Sequence, residues 1–98
     1  MDVIRIEGVE AEVARTFFER AKGLIGRHDL AAGHGLLIEQ CNAIHTFFMK
    51  FAIDATFLDR NNRVVKVVRN IRPWCFFVWG GWRARKVLET SAVPKGRS

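Results

Sequence analysis

Long apolar runs are missing from this 98-residue chain: the longest, residues 74–79, spans six positions. A membrane-spanning helix needs roughly 18 or more, so none is expected. The opening Met1-Asp2-Val3-Ile4-Arg5 has neither the basic start nor the apolar stretch of a secretory leader. Cysteine is equally scarce. Cys41 and Cys75 are the only two, and in the cytoplasm, the location expected here, both are expected as reduced thiols. Repeats and low-complexity tracts are absent, and acidic residues nearly disappear from the second half. Residues 60–98 hold 10 Lys or Arg against 1 Asp or Glu, whereas residues 1–59 hold 6 against 9. A net charge of +6 distributed in this way points to an anionic partner, either nucleic acid or an acidic protein or membrane surface.

What the chain does contain is a core. Hydrophobic residues make up 49% of it, with 8 Phe and 3 Trp, and charges of both signs are interspersed. That composition argues for one folded domain rather than disorder. We place the domain at residues 1–90, with 91–98 as a flexible tail. Residues 3–6 and 9–13 alternate apolar and polar side chains, as half-buried strands do. Thr16 and Glu19 stand three apart, as in a capping box. Phe17, Phe18, Ala21, Leu24 and Ile25 then recur at helical spacing, with Gly26 able to close a short helix over residues 17–25. Residues 26–35 read as a glycine-rich loop. Strands are expected over 35–39, 46–49, 53–58, 63–69 and 86–90, with a polar turn at Asn61 and Asn62. The expected fold class is α+β: a β-rich compact domain whose antiparallel or mixed sheet, or half-barrel, has one short helix packed on it.

Several blocks carry a resemblance. Lys22-Gly23-Leu24-Ile25-Gly26-Arg27, then Gly35-Leu36-Leu37-Ile38, then Phe47-Phe48-Met49-Lys50-Phe51-Ala52-Ile53-Asp54-Ala55-Thr56-Phe57-Leu58-Asp59 resemble, in that order, the bacterial family called domain of unknown function 192. Arg63-Val64-Val65 and Val87-Leu88-Glu89 are similar to its later blocks, and Cys41 with Ile44-His45-Thr46 resembles one subgroup. The resemblance implies a compact, β-barrel-like α+β domain and no established activity. Two positions depart from the family's pattern. Ala52 replaces a usual Pro, and the residues after Glu89 lack a glycine-containing turn and a final short strand. A strand left unpaired there would suit a homodimer.

Two candidate sites follow. The first is a shallow pocket near His45, Thr46, Met49 and Asp54. Asp54 lies between apolar residues, where a carboxylate needs a partner, and Arg20, Arg27 and Lys50 are the candidates. Cys41, His45 and Met49 recur every four residues but lack a closed ligand set. No metal or cofactor is therefore expected, Cys41 and His45 being the nearest approach to a metal site. The second site is the surface of Trp79, Trp82, Arg83, Arg85 and Lys86 within the aromatic and basic segment 74–86. Rings beside cations suit base stacking and phosphate contact, and equally a membrane or protein interface. The leading function is a non-catalytic binding or accessory module with an anionic or protein partner. The alternative is a small metal-binding protein or enzyme using Cys41, His45 and Asp54.

Overall fold

The structure is a computed structural model that describes residues 2–16, 19–20, 23–27, 30–75 and 77–92. Eight strands are described: β1 (Val3–Ile6), β2 (Val9–Ala14), β3 (His34–Glu39), β4 (Ala43–Ile44), β5 (Ile53–Leu58), β6 (Val64–Ile71), β7 (Val78–Trp79) and β8 (Lys86–Ser91). Six form one mixed sheet in the order β1-β2-β3-β8-β5-β6, and β4 pairs with β7 in a two-stranded ribbon. Only β2 and β3 run parallel; the other pairs are antiparallel.

The sheet buries both faces at its centre. On one face Leu36, Ile38, Ala55, Phe57 and Val87 join Leu24, Ile44 and Met49 in the main core. On the other, Ile6, Ala11, Val13, Leu37, Leu58 and Leu88 form a smaller cluster. Alternation within β3 and β8 explains the split, since neighbouring side chains point to opposite faces. β8 is the last strand in sequence but lies inside the sheet, between β3 and β5. The edges are β1 and β6, and β6 carries the exposed Lys66 and Arg69, charges that discourage pairing with another strand.

The α+β class with a helix packed on the sheet is corrected to a β-sheet fold, because strands dominate the described residues and only Glu19 and Arg20 among them are helical. Of residues 17–25, Phe17, Phe18, Ala21 and Lys22 lie outside the described residues. The capping box does form: Glu19 N–H donates to Thr16 Oγ1 and Thr16 N–H to Glu19 Oε1, each at 3.1 Å. Helical bonds from Arg20 N to Thr16 O and from Gly23 N to Glu19 O follow, both 3.0 Å. The backbone then turns left-handed at Gly23, φ 50°, and again at Gly26, φ 87°. Glycine enters the left-handed region without a Cβ penalty, and Gly23 does so three positions before the expected stop at Gly26.

Residues 46–49 are a turn rather than the expected strand. Thr46 exchanges backbone bonds with the segment after β6: its N–H donates to Cys75 O at 3.0 Å and its carbonyl accepts from Trp74 N at 2.8 Å. Its buried hydroxyl donates to Arg72 O at 2.6 Å and accepts from Cys75 N at 2.8 Å. The chain reverses at Phe48, φ 63°. Thr46 is thus the clasp that holds residues 72–75 against the ribbon. Thr46→Val keeps the shape and leaves both backbone groups without their side-chain partner, so we expect a loss of about 2 kcal/mol in urea denaturation. An unchanged midpoint would show that other bonds hold this corner.

Candidate functional site

The aromatic and basic surface is built where the ribbon meets the start of β8. Gly80 N donates to Asn42 O at 2.7 Å and Arg85 N to Leu58 O at 2.7 Å, pinning both ends of residues 80–85. Between them Trp79 and Trp82 meet edge to face, with ring centroids 5.0 Å apart and planes at 88°. Trp79 is half-buried, whereas Trp82 is 83% exposed. Lys66 Nζ ties the ribbon to β6 by donating to Trp79 O at 2.8 Å.

Two adjoining hollows lie where residues 83–86 meet the turn after β5. The larger, an open groove of about 650 Å³, has Arg60, Arg85 and Lys86 in its wall; the smaller, about 210 Å³, adds Arg83 and shares Arg60 and Arg85. Arg85 Nη1 donates to Trp82 O at 2.8 Å, and Lys86 Nζ to Asn62 Oδ1 at 2.7 Å. Among the described residues none of these four cations forms an ion pair. Two carboxylates line the hollows, Asp59 in the smaller and Glu39 in the larger. Asp59 Oδ1 accepts from Arg63 N and Asn61 N, and those bonds, Arg63's first, hold its carboxyl below the usual range. Glu39 accepts from Arg15 Nε at 3.1 Å.

The pocket residues expected from sequence separate into three places. His45 and Met49 line a hollow of about 240 Å³ that also contains Cys41, Arg20 and Glu89. Thr46 is the clasp described above. Asp54 sits at an irregularity between β5 and β6, where Arg69 and Asn70 intervene between the paired Val68 and Ile71. Its Oδ1 accepts from Asn70 N at 2.8 Å, and its Oδ2 lies 3.6 Å from Arg69 Nη1. Its partner is therefore Arg69, not Arg20, Arg27 or Lys50. The bond to Asn70, itself at φ 54°, satisfies a donor freed by the bulge.

Three facts bear on chemistry at Cys41 and His45. Burial, above all, raises the Cys41 thiol above its usual range, and Sγ donates to Ala43 O at 3.0 Å. His45 Nδ1 accepts from Phe47 N at 3.2 Å. Among the described residues, no three His, Cys, Asp or Glu side chains are grouped to hold a metal ion. A protonated, bonded thiol is a poor nucleophile and a poor ligand.

Sequence reasoning did not single out Glu89 as a site residue. It is 3% exposed and stands on β8 between Leu36 of β3 and Ala55 of β5. Among the described residues its Oε1 has no hydrogen-bond partner, and burial pushes its carboxyl up to about 7. The available signal was alternation: Glu89 is two residues from Val87 and so faces the main core. Only the sheet order reveals that β8 is central, with Glu89 flanked by a strand on each side.

A family model for DUF192, described as "Uncharacterized ACR", matches residues 3–93. The chain is 37% identical over 83 residues to a UPF0127 protein of Thermococcus sibiricus, covering 81% of this chain and 53% of that protein. It is 36% identical over 83 residues to a UPF0127 protein of Pyrococcus horikoshii, covering 82% and 70%. The chain thus spans about half the length of the Thermococcus relative. Both relatives are archaeal, which corrects the expectation of a bacterial family. In three dimensions it is similar to a protein of unknown function from Novosphingobium aromaticivorans, with TM-score 0.78, 21% identity and coverage of 92% of this chain and 71% of that one. A proposed transcription regulator from Sinorhizobium meliloti gives TM-score 0.79, 20% identity and coverage of 92% and 77%. At these identities the two structures establish the fold alone. Among the described residues no helix is long and apolar enough to cross a membrane.

Proposed function

We propose that this chain, which belongs to the uncharacterised DUF192 family, is a non-catalytic module that binds single-stranded nucleic acid across the Trp79–Trp82 pair. The observation that carries the reading is the exposed Trp82 ring, next in sequence to Arg83 and with its carbonyl bonded by Arg85, together with the cluster of Arg60, Arg83, Arg85 and Lys86, none of them in an ion pair among the described residues. A base has a flat face to stack on Trp82, and the phosphates on either side meet guanidinium and ammonium groups in an open groove. The charge distribution supports this further. The one acidic residue beyond position 59 is Glu89, and it is buried, so no carboxylate from that half of the chain offsets the cations at the surface. The alternative using Cys41, His45 and Asp54 has less support, because Asp54 lies outside the pocket that the other two line.

Fluorescence anisotropy with a short labelled oligothymidylate tests the reading. Binding is expected at low salt and weakens steeply as salt rises, because phosphate contacts release counterions. Trp82→Ala should weaken it about tenfold, the effect of removing one stacking platform. Arg83→Gln should lower the salt slope by about one. No binding at low salt, affinity indifferent to Trp82→Ala, or binding only to anionic lipid vesicles would each refute it.

A further inference from the structure

The pocket that holds Glu89 meets the larger basic groove at Cys41, which lines both, and nothing in the proposed function uses Glu89. The pocket is small, about 240 Å³, below the roughly 300–1,000 Å³ of pockets that take drug-sized ligands. Leu24, Ile38 and Met49 give it apolar walls, and Arg20 and Glu89 are its charged groups. Glu89 is a built feature: a carboxylate on the central strand, buried, with Oε1 unpartnered among the described residues. Gly23 lies against this oxygen, since a Cβ at that position would stand in van der Waals contact with Oε1 at 3.8 Å. A buried polar atom without a partner is costly in a folded protein, and a ligand that supplies the missing donor removes that cost.

Charge selects the ligand. Arg20 is held by bonds from Nη1 to Gln40 Oε1 at 3.1 Å and from Nε to Thr16 O at 3.4 Å, and forms no ion pair among the described residues. A simple cation would pair with Glu89 but be repelled by Arg20, and a simple anion would meet the reverse. A molecule carrying both charges satisfies each. We propose that this pocket binds a small zwitterionic aminoalkanoate, its ammonium on Glu89, its carboxylate towards Arg20 and its carbon chain against Leu24, Ile38 and Met49.

The groups facing Glu89 are Arg20, from the connection between β2 and β3, and Cys41 and His45, on either side of β4; its sheet neighbours Leu36 and Ala55 are apolar. An ammonium needs the carboxylate ionised, so binding below about pH 7 releases the Glu89 proton to solvent. Affinity should then rise about tenfold per pH unit up to about pH 7, and level off above it.

The test is thermal shift on the whole chain with ω-aminoalkanoates from glycine to 6-aminohexanoate, each compared with the alkylamine and the carboxylate of matching length. At least one aminoalkanoate should raise the melting temperature by more than either of its halves. Glu89→Gln, which keeps the side-chain shape, should abolish the shift while the variant remains folded by circular dichroism. Arg20→Gln should remove the advantage of the aminoalkanoate over the alkylamine. The proposal fails if no member of the series shifts the melting temperature, if Glu89→Gln retains the shift, or if the alkylamine alone does as well on the unaltered protein.

Discussion

Glu89→Gln should make the protein more stable, by about 3 kcal/mol at pH 8, and should leave its stability nearly unchanged at pH 4. The carboxyl is raised from its ordinary 4.5 to about 7 because burial penalises the charged form. Between those values the folded state holds a proton that the unfolded state has released, so stability falls as pH rises through this window. Each unit of difference is worth about 1.4 kcal/mol, which gives the estimate. Below about pH 4.5 both states are protonated and no penalty remains; above about 7 it is present in full. Glu19 and Asp59 have the opposite sign, because hydrogen bonds hold their carboxyls below the usual range. Their contributions are lost as pH falls, and they cancel when variant and unaltered protein are compared at the same pH. Urea denaturation from pH 4 to 8 should show the two curves diverging upward with pH. Parallel curves would mean that Glu89 finds a partner or reaches water.

Gly80→Ala should cost about as much, in the other direction and at every pH. Gly80 is buried where the chain leaves β7, and an added Cβ would stand within 2.8 Å of Phe57 Cε1 and nearer still to other ring carbons. Phe57 has no exposed surface and lies in the main core, so the ring cannot swing aside as a surface side chain would. Overpacking of this kind costs about 1–3 kcal/mol, and the depth of the overlap places this case at the upper end. Gly81 next door, at φ 98° with open space around the missing Cβ, should lose only about 1 kcal/mol on substitution by Ala, through backbone strain. Pairing Gly80→Ala with Phe57→Leu should recover part of the loss, since the two changes share one space. Equal effects at Gly80 and Gly81 would show that backbone conformation, not the approach to Phe57, governs this corner. A weakened corner would also displace Trp79 and Trp82, so oligonucleotide binding should fall with it.

Much of the fold was legible because strands declare themselves locally. Ile53–Leu58 and Val64–Ile71 flank a turn whose Asn62 adopts φ 63°, as the polar residues between two apolar runs suggested. Lys86–Ser91 also stands where its alternation put it. The helix and the strand at 46–49 were misread for different reasons. The capping box was real, but it governs only a helix's first turn, and among the described residues the backbone is already left-handed at Gly23. At 46–49 the apolar pattern suited a strand, but the bonds of Thr46 to Arg72 and Cys75 bend the chain into a turn.

The candidate sites divide along the same line. Composition alone determined that the second half of the chain would be strongly basic and rich in Trp, because like charges stay at a solvated surface wherever the chain runs. It could not determine that Arg60, from the turn after β5, would share a groove with Arg85 and Lys86 25 residues further along; the pairing of β5 with β8 did that. Nor could it determine the state of Glu89. A glutamate after the apolar pair Val87-Leu88 looks like a strand meeting water. Its burial depends on β8 being inserted between β3 and β5, a non-local arrangement of segments separated in sequence by about 30 to 50 residues. Sequence fixes which groups a chain possesses and how each strand alternates; the environment that sets a carboxyl's charge is made by strand order, and only the tertiary structure supplies it.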